Sequence, residues 1–380
     1  MFRLLTAIYP NFVFSPISIS VIMALILRGS NGYTLQEIYD AMSYNESGFD
    51  NIKEIQEAFN SIGTYYHTQP KQSKEFGYYL GMSNVLWISD GKMLNSKFID
   101  DAKKYYHTDV KPISYHNGSR PTHKIINKYV NEKTKGAILT CDIRKENFDA
   151  KTQIVMVNSV SFSAFWGPQL AENLETLAYF YSKGQFKILT TFVQTTSTLK
   201  HAKCEKIGAS VVQLPFLKAG EGKEYFLYVI LPDYGTPIEE VENKIHDQKV
   251  DINSLANNMT ESRVNVMIPK HFPKSSLAMD RLFPFLGVNK LFQREDAELL
   301  YISNFERLSV DKIFHESVLE FNTKGSFAYP IRYSGHLSTT NHGKNIDEHI
   351  TEYFANRPFL YYIVDKVNGG IVFLGKISVI

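Results

Sequence analysis

The apolar residues of this chain fall into two regimes, helical spacing in front and strand spacing behind. Residues 15–29, SPISISVIMALILRG, are apolar on almost every face, which predicts a helix buried all round, with Ser15 as its cap, Pro16 near its start and Gly29 at its end. Thr34 to Met42 predicts a short second helix, with Thr34 as N-cap and Glu37 at the capping-box position. Ile52, Ile55, Phe59 and Ile62 recur at helical intervals within Asn51–Tyr65, as do Phe98, Ala102 and Tyr105 within Ser96–Tyr106. Ile125, Ile126, Tyr129 and Val130 form the apolar stripe of a helix over Thr122–Thr134, which Gly136 ends.

Strand patterns take over from there, after an early one at Tyr79–Ile88. The run from Gln153 to Trp166 is too long and too apolar for an edge and predicts a central strand covered on both faces. Further strands are expected over Gly184–Val193, Ser210–Leu214, Tyr225–Leu231, Arg263–Ile268, Val310–Phe321, Phe359–Val364 and Gly370–Ile377, with Leu277–Leu286 helical between them. Helices in front, strands behind and no repeat unit imply an α+β protein, and the lack of a Pro/Gly/Ser linker implies one domain over 1–380.

One stretch breaks the pattern. The strand ending at Phe321 meets Gly325 and runs into about thirty residues rich in Ser, Thr, Asn, Gly and His before Arg357-Pro358-Phe359 begins the next strand. An irregular stretch of that length inside a compact domain is usually functional or disordered, so residues 325–357 are expected to form an exposed mobile loop.

Composition removes several function classes. The chain has 380 residues, 44% hydrophobic and 13% aromatic, with 41 basic against 39 acidic residues. A net charge of +2 gives no clustered basic excess for nucleic acid, and no apolar run reaches the length of a membrane span. Two cysteines, Cys141 and Cys204, are too few and too far apart for a disulfide framework or a zinc site, and the N-terminal stretch lacks the pattern of a signal peptide. An intracellular, reducing setting is expected, with no cofactor and no metal. Asn45, Asn117 and Asn258 stand in glycosylation-like triplets, which are read as chance matches.

No catalytic constellation emerges. Gly370 to Lys376 resembles the start of a phosphate-binding loop, but Ile377 stands where Ser or Thr must reach magnesium, and IVFL is strand sequence. There is no G-x-S-x-G elbow and no H-E-x-x-H pair. Asp347-Glu348-His349 places ionisable groups side by side, where solvated charge is the simpler reading.

Several segments, in order, resemble the serpin family. Asn11 to Ile19 resembles its first strand and following helix, Asn127 to Gly136 the helix that crosses the main sheet, and Val157-Asn158-Ser159 with Phe162 and Trp166 a central strand of that sheet. Leu231-Pro232-Asp233, Ile268-Pro269-Lys270 with an inserted His271 before Phe272, Leu286-Gly287-Val288 with Phe292, and Ala297-Glu298-Leu299 resemble later markers. His315 with Glu320-Phe321-Asn322, then Phe354, Pro358-Phe359 and Phe373-Leu374-Gly375-Lys376, complete a pattern running from Asn11 to Ile380.

The resemblance implies three sheets, eight or nine helices, an exposed reactive-centre loop and inhibition of proteases without catalysis. Only ten residues precede Asn11, so the family's first helix is expected to be mostly absent. That feature, with the two cysteines, is similar to the trimmed intracellular serpins of poxviruses, which implies a monomer in the infected cell that meets a host serine or cysteine protease. The alternative is a non-inhibitory protein that binds a viral or host partner through its surface. Ser15, Ser18, Asn158 and His315 match the hydrogen-bonded cluster beneath the point where the main sheet opens, and Trp166 matches a tryptophan near the top of that opening.

The loop's own residues set the mechanism. In a trapping serpin the N-terminal half of the cut loop inserts as a new central strand, which needs backbone donors and small inward residues. Gly325, Ser326 and Ala328 fit the hinge, but Pro330 removes a ladder donor. With Ser326 inward, Arg332 also turns inward, while Phe327, Tyr329, Ile331 and Tyr333 face out. A one-residue slip reverses this and brings bulk inward. The loop is also longer than the family's: counting forward from Gly325 reaches Thr339-Thr340, counting back from Pro358 reaches Asp347-Glu348, and Lys344 lies between. These are the reactive-centre candidates, and the hinge argues for weak or absent trapping.

Overall fold

A computed structural model of the chain describes residues 1–67, 77–115, 122–139, 141–170, 174–182, 186–218, 223–248, 250–251, 254–255, 258–322 and 350–380. The helices among them are α1 (Phe2–Ile8), α2 (Pro16–Gly29), α3 (Gly32–Ala41), α4 (Ile52–His67), α5 (Ser96–Tyr106), α6 (Thr122–Lys133), α7 (Ile238–Asp247) and α8 (Met279–Leu282). The strands are β1 (Asn11–Phe14), β2 (Tyr78–Ser89), β3 (Thr108–Ile113), β4 (Ile154–Phe165), β5 (Leu174–Tyr181), β6 (Lys187–Cys204) and β7 (Ala209–Pro215). They continue as β8 (Tyr225–Pro232), β9 (Thr260–Pro269), β10 (Ser275–Ala278), β11 (Val310–Asn322), β12 (Thr351–Phe354), β13 (Phe359–Asp365) and β14 (Ile371–Ile377).

The strands form two hydrogen-bonded ladders. A five-stranded sheet runs β10-β11-β4-β2-β3, and a nine-stranded sheet runs β1-β14-β13-β8-β7-β6-β9-β12 with β5 also on β6. The long β6 pairs with β5 and β9 along most of its length and with β7 at its end, which stitches two of the expected three sheets into one ladder. Helix α2 fills the space between the two sheets. Ser15 caps it, its hydroxyl accepting from the Ser18 amide at 3.4 Å, and Pro16 occupies the first turn, where no amide donor is needed. A Cβ on Gly29 would lie 2.5 Å from Ile302, so the close approach at its far end requires glycine.

Four local expectations are corrected. Helix α3 starts at Gly32, two residues before Thr34. Its free amides are satisfied from a distant segment: Glu298 Oε2 accepts from Tyr33 at 2.5 Å and from Thr34 at 3.2 Å. Glu37 leaves the capping position to accept from the amides of Asn289 and Lys290, at 2.7 and 2.8 Å. The helix expected over Leu277–Leu286 begins instead as β10, held to β11 by pairing, and Pro284 tightens its end into a 3-10 turn. The strand expected from Gly184 is described from Lys187 and runs on to Cys204, while β3, β5 and α7 were not anticipated. Strand β3 carries Pro112, which its position at the sheet edge tolerates.

Candidate functional site: the seam between β4 and β11

Strands β4 and β11 lie side by side and parallel, paired from Ile154 and Val310 to Phe165 and Asn322. All twelve residues of β4 are buried. Parallel strands need both faces covered, and here α2 and the nine-stranded sheet cover the inner face and α6 the outer. Side-chain alternation then sorts the residues. Met156, Val160, Phe162, Ile313, Leu319 and Phe321 belong to the inner core, and Val155, Val157, Phe314 and Val318 to the outer cluster under α6.

Midway along the seam one inner rung is polar. The register sets His315 beside Asn158, and Asn158 beside Asn84 of β2. The α2 N-terminus meets this rung, so Ser15, Ser18, Asn158 and His315 are brought together. The Ser15 amide donates to His315 Nε2 at 3.0 Å. A main-chain amide can only donate, so Nε2 accepts and Nδ1 carries the proton, which goes to Asn158 Oδ1. That fixes the Asn158 amide: its Nδ2 donates to Asn84 Oδ1 at 2.5 Å and to the Ser18 hydroxyl. The Ser317 hydroxyl completes the set, 2.8 Å from His315 Nε2. His315 is fully buried, and burial holds its pKa down to about 3, so the ring is neutral. Sequence reasoning missed Asn84 and Ser317. A polar residue inside the apolar run of β2, and a hydroxyl two residues from His315 on the same face, were the available signals.

An aromatic cluster closes the seam where β11 ends. The Trp166 amide donates to the Asn322 carbonyl at 3.2 Å, tying the two strand ends together. The Trp166 ring stacks on Phe216 at 5.1 Å, and Phe321 packs against both. Phe272 meets Phe321 edge-on at 4.8 Å. Beyond Asn322 the hinge residues Gly325, Ser326, Ala328 and Pro330 and the reactive-centre candidates Thr339, Thr340, Lys344 and Asp347 lie outside the described residues. The chain is met again at Ile350 and joins the other sheet as β12, parallel to β9. The segment in question therefore connects the middle of one sheet to the edge of the other.

The chemistry of the seam is that of a clasp. Its polar groups bond to one another, and the one hydroxyl beside the imidazole, that of Ser317, is buried with it in the seam. Among the described residues no three His, Cys, Asp or Glu side chains converge as metal ligands, and no helix is long and apolar enough to cross a membrane. Cys141 and Cys204 are free thiols, both pushed up in pKa by burial.

Comparison with known proteins places this architecture. The family model for Serpin (serine protease inhibitor) matches residues 2–380. Serpin B6 of Pongo abelii is 27% identical over 369 residues, which cover 97% of this chain and 93% of that protein. Human Serpin B9 is 26% identical over 368 residues with the same coverage. Among solved structures, Manduca sexta serine protease inhibitor (serpin)-12 aligns at a TM-score of 0.81 with 22% identity, over 100% of this chain and 95% of that one. Native protease nexin-1 with heparin also aligns at 0.81, with 17% identity over 100% of this chain and 96% of that one. The chain belongs to the serpin family.

Proposed function

We propose that this serpin is directed at serine or cysteine proteases through the segment between β11 and β12, and handles them as a substrate or reversible ligand with little or no trapping by strand insertion. The observation that carries the proposal is the sequence of that segment set against the seam. An inserted strand has to part β4 from β11 along their paired length, including the Trp166–Asn322 bond and the rung at His315. The inner walls it would meet in the upper half are Val160, Phe162, Ala164, Leu319 and Phe321. Ser326 and Ala328 suit such walls; Pro330 withholds a ladder donor, and an inward Arg332 adds a buried charge costing several kcal/mol. The intracellular host–virus setting, the monomeric state and the choice among Thr339, Thr340, Lys344 and Asp347 as reactive centre belong to this proposal and rest on the resemblance alone.

A second reading, a non-inhibitory protein working through its surface on a viral or host partner, draws on the β5–β6 hairpin. Leu177, Tyr179 and Tyr181 lie on one face of β5, Leu189 of β6 pairs with Tyr179, and all four are exposed; exposed apolar surface of this kind marks interaction sites. The test is incubation with trypsin, elastase, a caspase and a granzyme, followed by SDS electrophoresis and thermal melting. We expect cleavage within 323–349 with no SDS-stable complex and no rise in Tm. A covalent complex with any of the four sinks the proposal, and resistance to all four favours the second reading.

A further inference from the structure

The rung behind His315 has a counterpart on the outer face. Ser276 of β10, Glu316 of β11, Ser159 of β4 and Ser83 of β2 stand in register across four strands. Glu316 is only 3% exposed. Its strand neighbours on that face, Phe314 and Val318, belong to the apolar cluster that also contains Ile138, Cys141 and Ile143, the segment following α6. Helix α6 holds this segment through Asn127, whose side chain bonds the Ile143 carbonyl and the Cys141 amide, and through Asn131 to the Ile138 carbonyl. Glu316 is thus pressed between the seam and the segment that covers it.

Its polar satisfaction is thin. Among the described residues the one hydrogen bond to its carboxyl comes from the exposed Ser276 hydroxyl, 2.6 Å from Oε1. The Ser159 hydroxyl beside it donates instead to the Ser83 carbonyl. No cation pairs with it among the described residues. On α6 Lys128 pairs with Glu132 at the outer surface, and Lys133 pairs with Asp109. Lys135 sits over the Tyr79 ring, and on β11 Lys312 pairs with Asp280. The covering segment contributes the Cys141 thiol and Asp142, a like charge that is itself paired with Arg144. On the opposite face of β11 the adjacent group is neutral His315.

We propose that Glu316 is a proton-dependent latch between β11 and the segment that follows α6: protonated, it stays buried and the segment lies closed over the seam; ionised, it loosens the segment and the cover over β4 and β11. An ionised carboxylate in this site has one donor and no counter-charge among the described residues, so hydrating it requires the segment after α6 to lift. Burial, with Asp142 adding in the same direction, raises the Glu316 pKa from 4.5 to about 7, which puts the transition near neutrality. The sign follows: the closed form holds the proton that the open form releases, so opening becomes easier as pH rises from 4.5 towards 7. This inference is independent of whether the protein traps proteases.

The test is hydrogen exchange of the amides in 138–143, 154–165 and 310–322, corrected for intrinsic rates, at pH 5.5 and 7.5. In the unmodified protein, protection should fall by roughly tenfold or more between the two. Glu316→Gln keeps the shape and cannot ionise, so its protection should lack that fall. His315 titrates in both proteins, and the comparison between them removes its contribution. An equal pH response in the two proteins overturns the latch. Ser276→Ala provides a second test on a residue at the exposed edge. It removes the donor that favours the ionised form, so the midpoint of the exchange transition should move to higher pH. An unmoved midpoint also overturns the latch.

Discussion

Two neighbours on β11, His315 and Glu316, are both buried and both titratable, and the sheet treats them in opposite ways. His315 faces α2 and is met by a main-chain amide, a side-chain amide and a hydroxyl, and the side-chain amide is itself held by Asn84 and Ser18. Glu316 faces the segment after α6 and is met by one hydroxyl from the surface. Burial favours the neutral form of each, pulling the histidine down to about 3 and pushing the glutamate up to about 7. Both residues are therefore uncharged between about pH 3 and 7, but for different reasons. One residue is neutral with both ring nitrogens hydrogen-bonded; the other is neutral because its site leaves a charge unsupported. The inner rung is built to hold the seam shut, and the outer rung is the place where it gives way.

The comparison is tested hardest by removing Asn158, the hub of the inner rung. Asn158→Ala orphans His315 Nδ1, Asn84 Oδ1 and the Ser18 hydroxyl together. Leaving such groups buried without partners costs about 3 kcal/mol, read as a shift in the urea midpoint. A loss below about 1 kcal/mol would mean that water replaces the asparagine and that the inner rung is no better built than the outer one.

Acid is the next test. The folded pKa of His315 lies below that of the free side chain, so its contribution is complete above pH 6.5 and is lost as pH falls from there towards 3. Glu316 has the reverse slope, its contribution being complete below 4.5 and lost as pH rises to 7. Between 4.5 and 6.5 the two slopes cancel; below 4.5 only the histidine of the two still contributes, at about 1.4 kcal/mol per pH unit, beside carboxylates such as Asp109 whose pKa is lowered. His315→Gln is less stable throughout, and its stability should fall less steeply than the unmodified protein's below pH 4.5. Parallel curves for the two proteins would show that His315 does not set the acid limb.

Much of this was legible in the sequence, and what was not has a physical cause. The buried helix α2 and the central strand β4 were visible because apolar residues dominate each of them. The order of serpin-like segments brought Ser15, Ser18, Asn158 and His315 to one place before any geometry was known. Asn84 and Ser317 were hidden because strand register, and not local pattern, aligns them with that cluster. The start of α3 was misplaced because its cap, Glu298, is supplied from a distant part of the chain. Glu316 was unreadable for a related reason. A glutamate between His315 and Ser317 looks like an ordinary surface position until α6 and its trailing segment are laid over it.

The smallest effect is the one that shows whether partner number, and not burial, separates the two rungs. Ser317→Ala removes one hydroxyl from His315 Nε2, but that nitrogen still accepts from the Ser15 amide. The ring keeps its tautomer, Asn158 keeps its orientation, and nothing buried is left without a partner. The loss should therefore be about 1 kcal/mol or less, and independent of pH above 6.5, where the ring is neutral folded and unfolded alike. Denaturant midpoints at pH 7 and 8 measure it. A loss as large as that of Asn158→Ala would show that the amide at Ser15 does not hold the ring by itself. His315 would then depend on one hydroxyl as Glu316 does, and the contrast between the two faces of β11 would collapse.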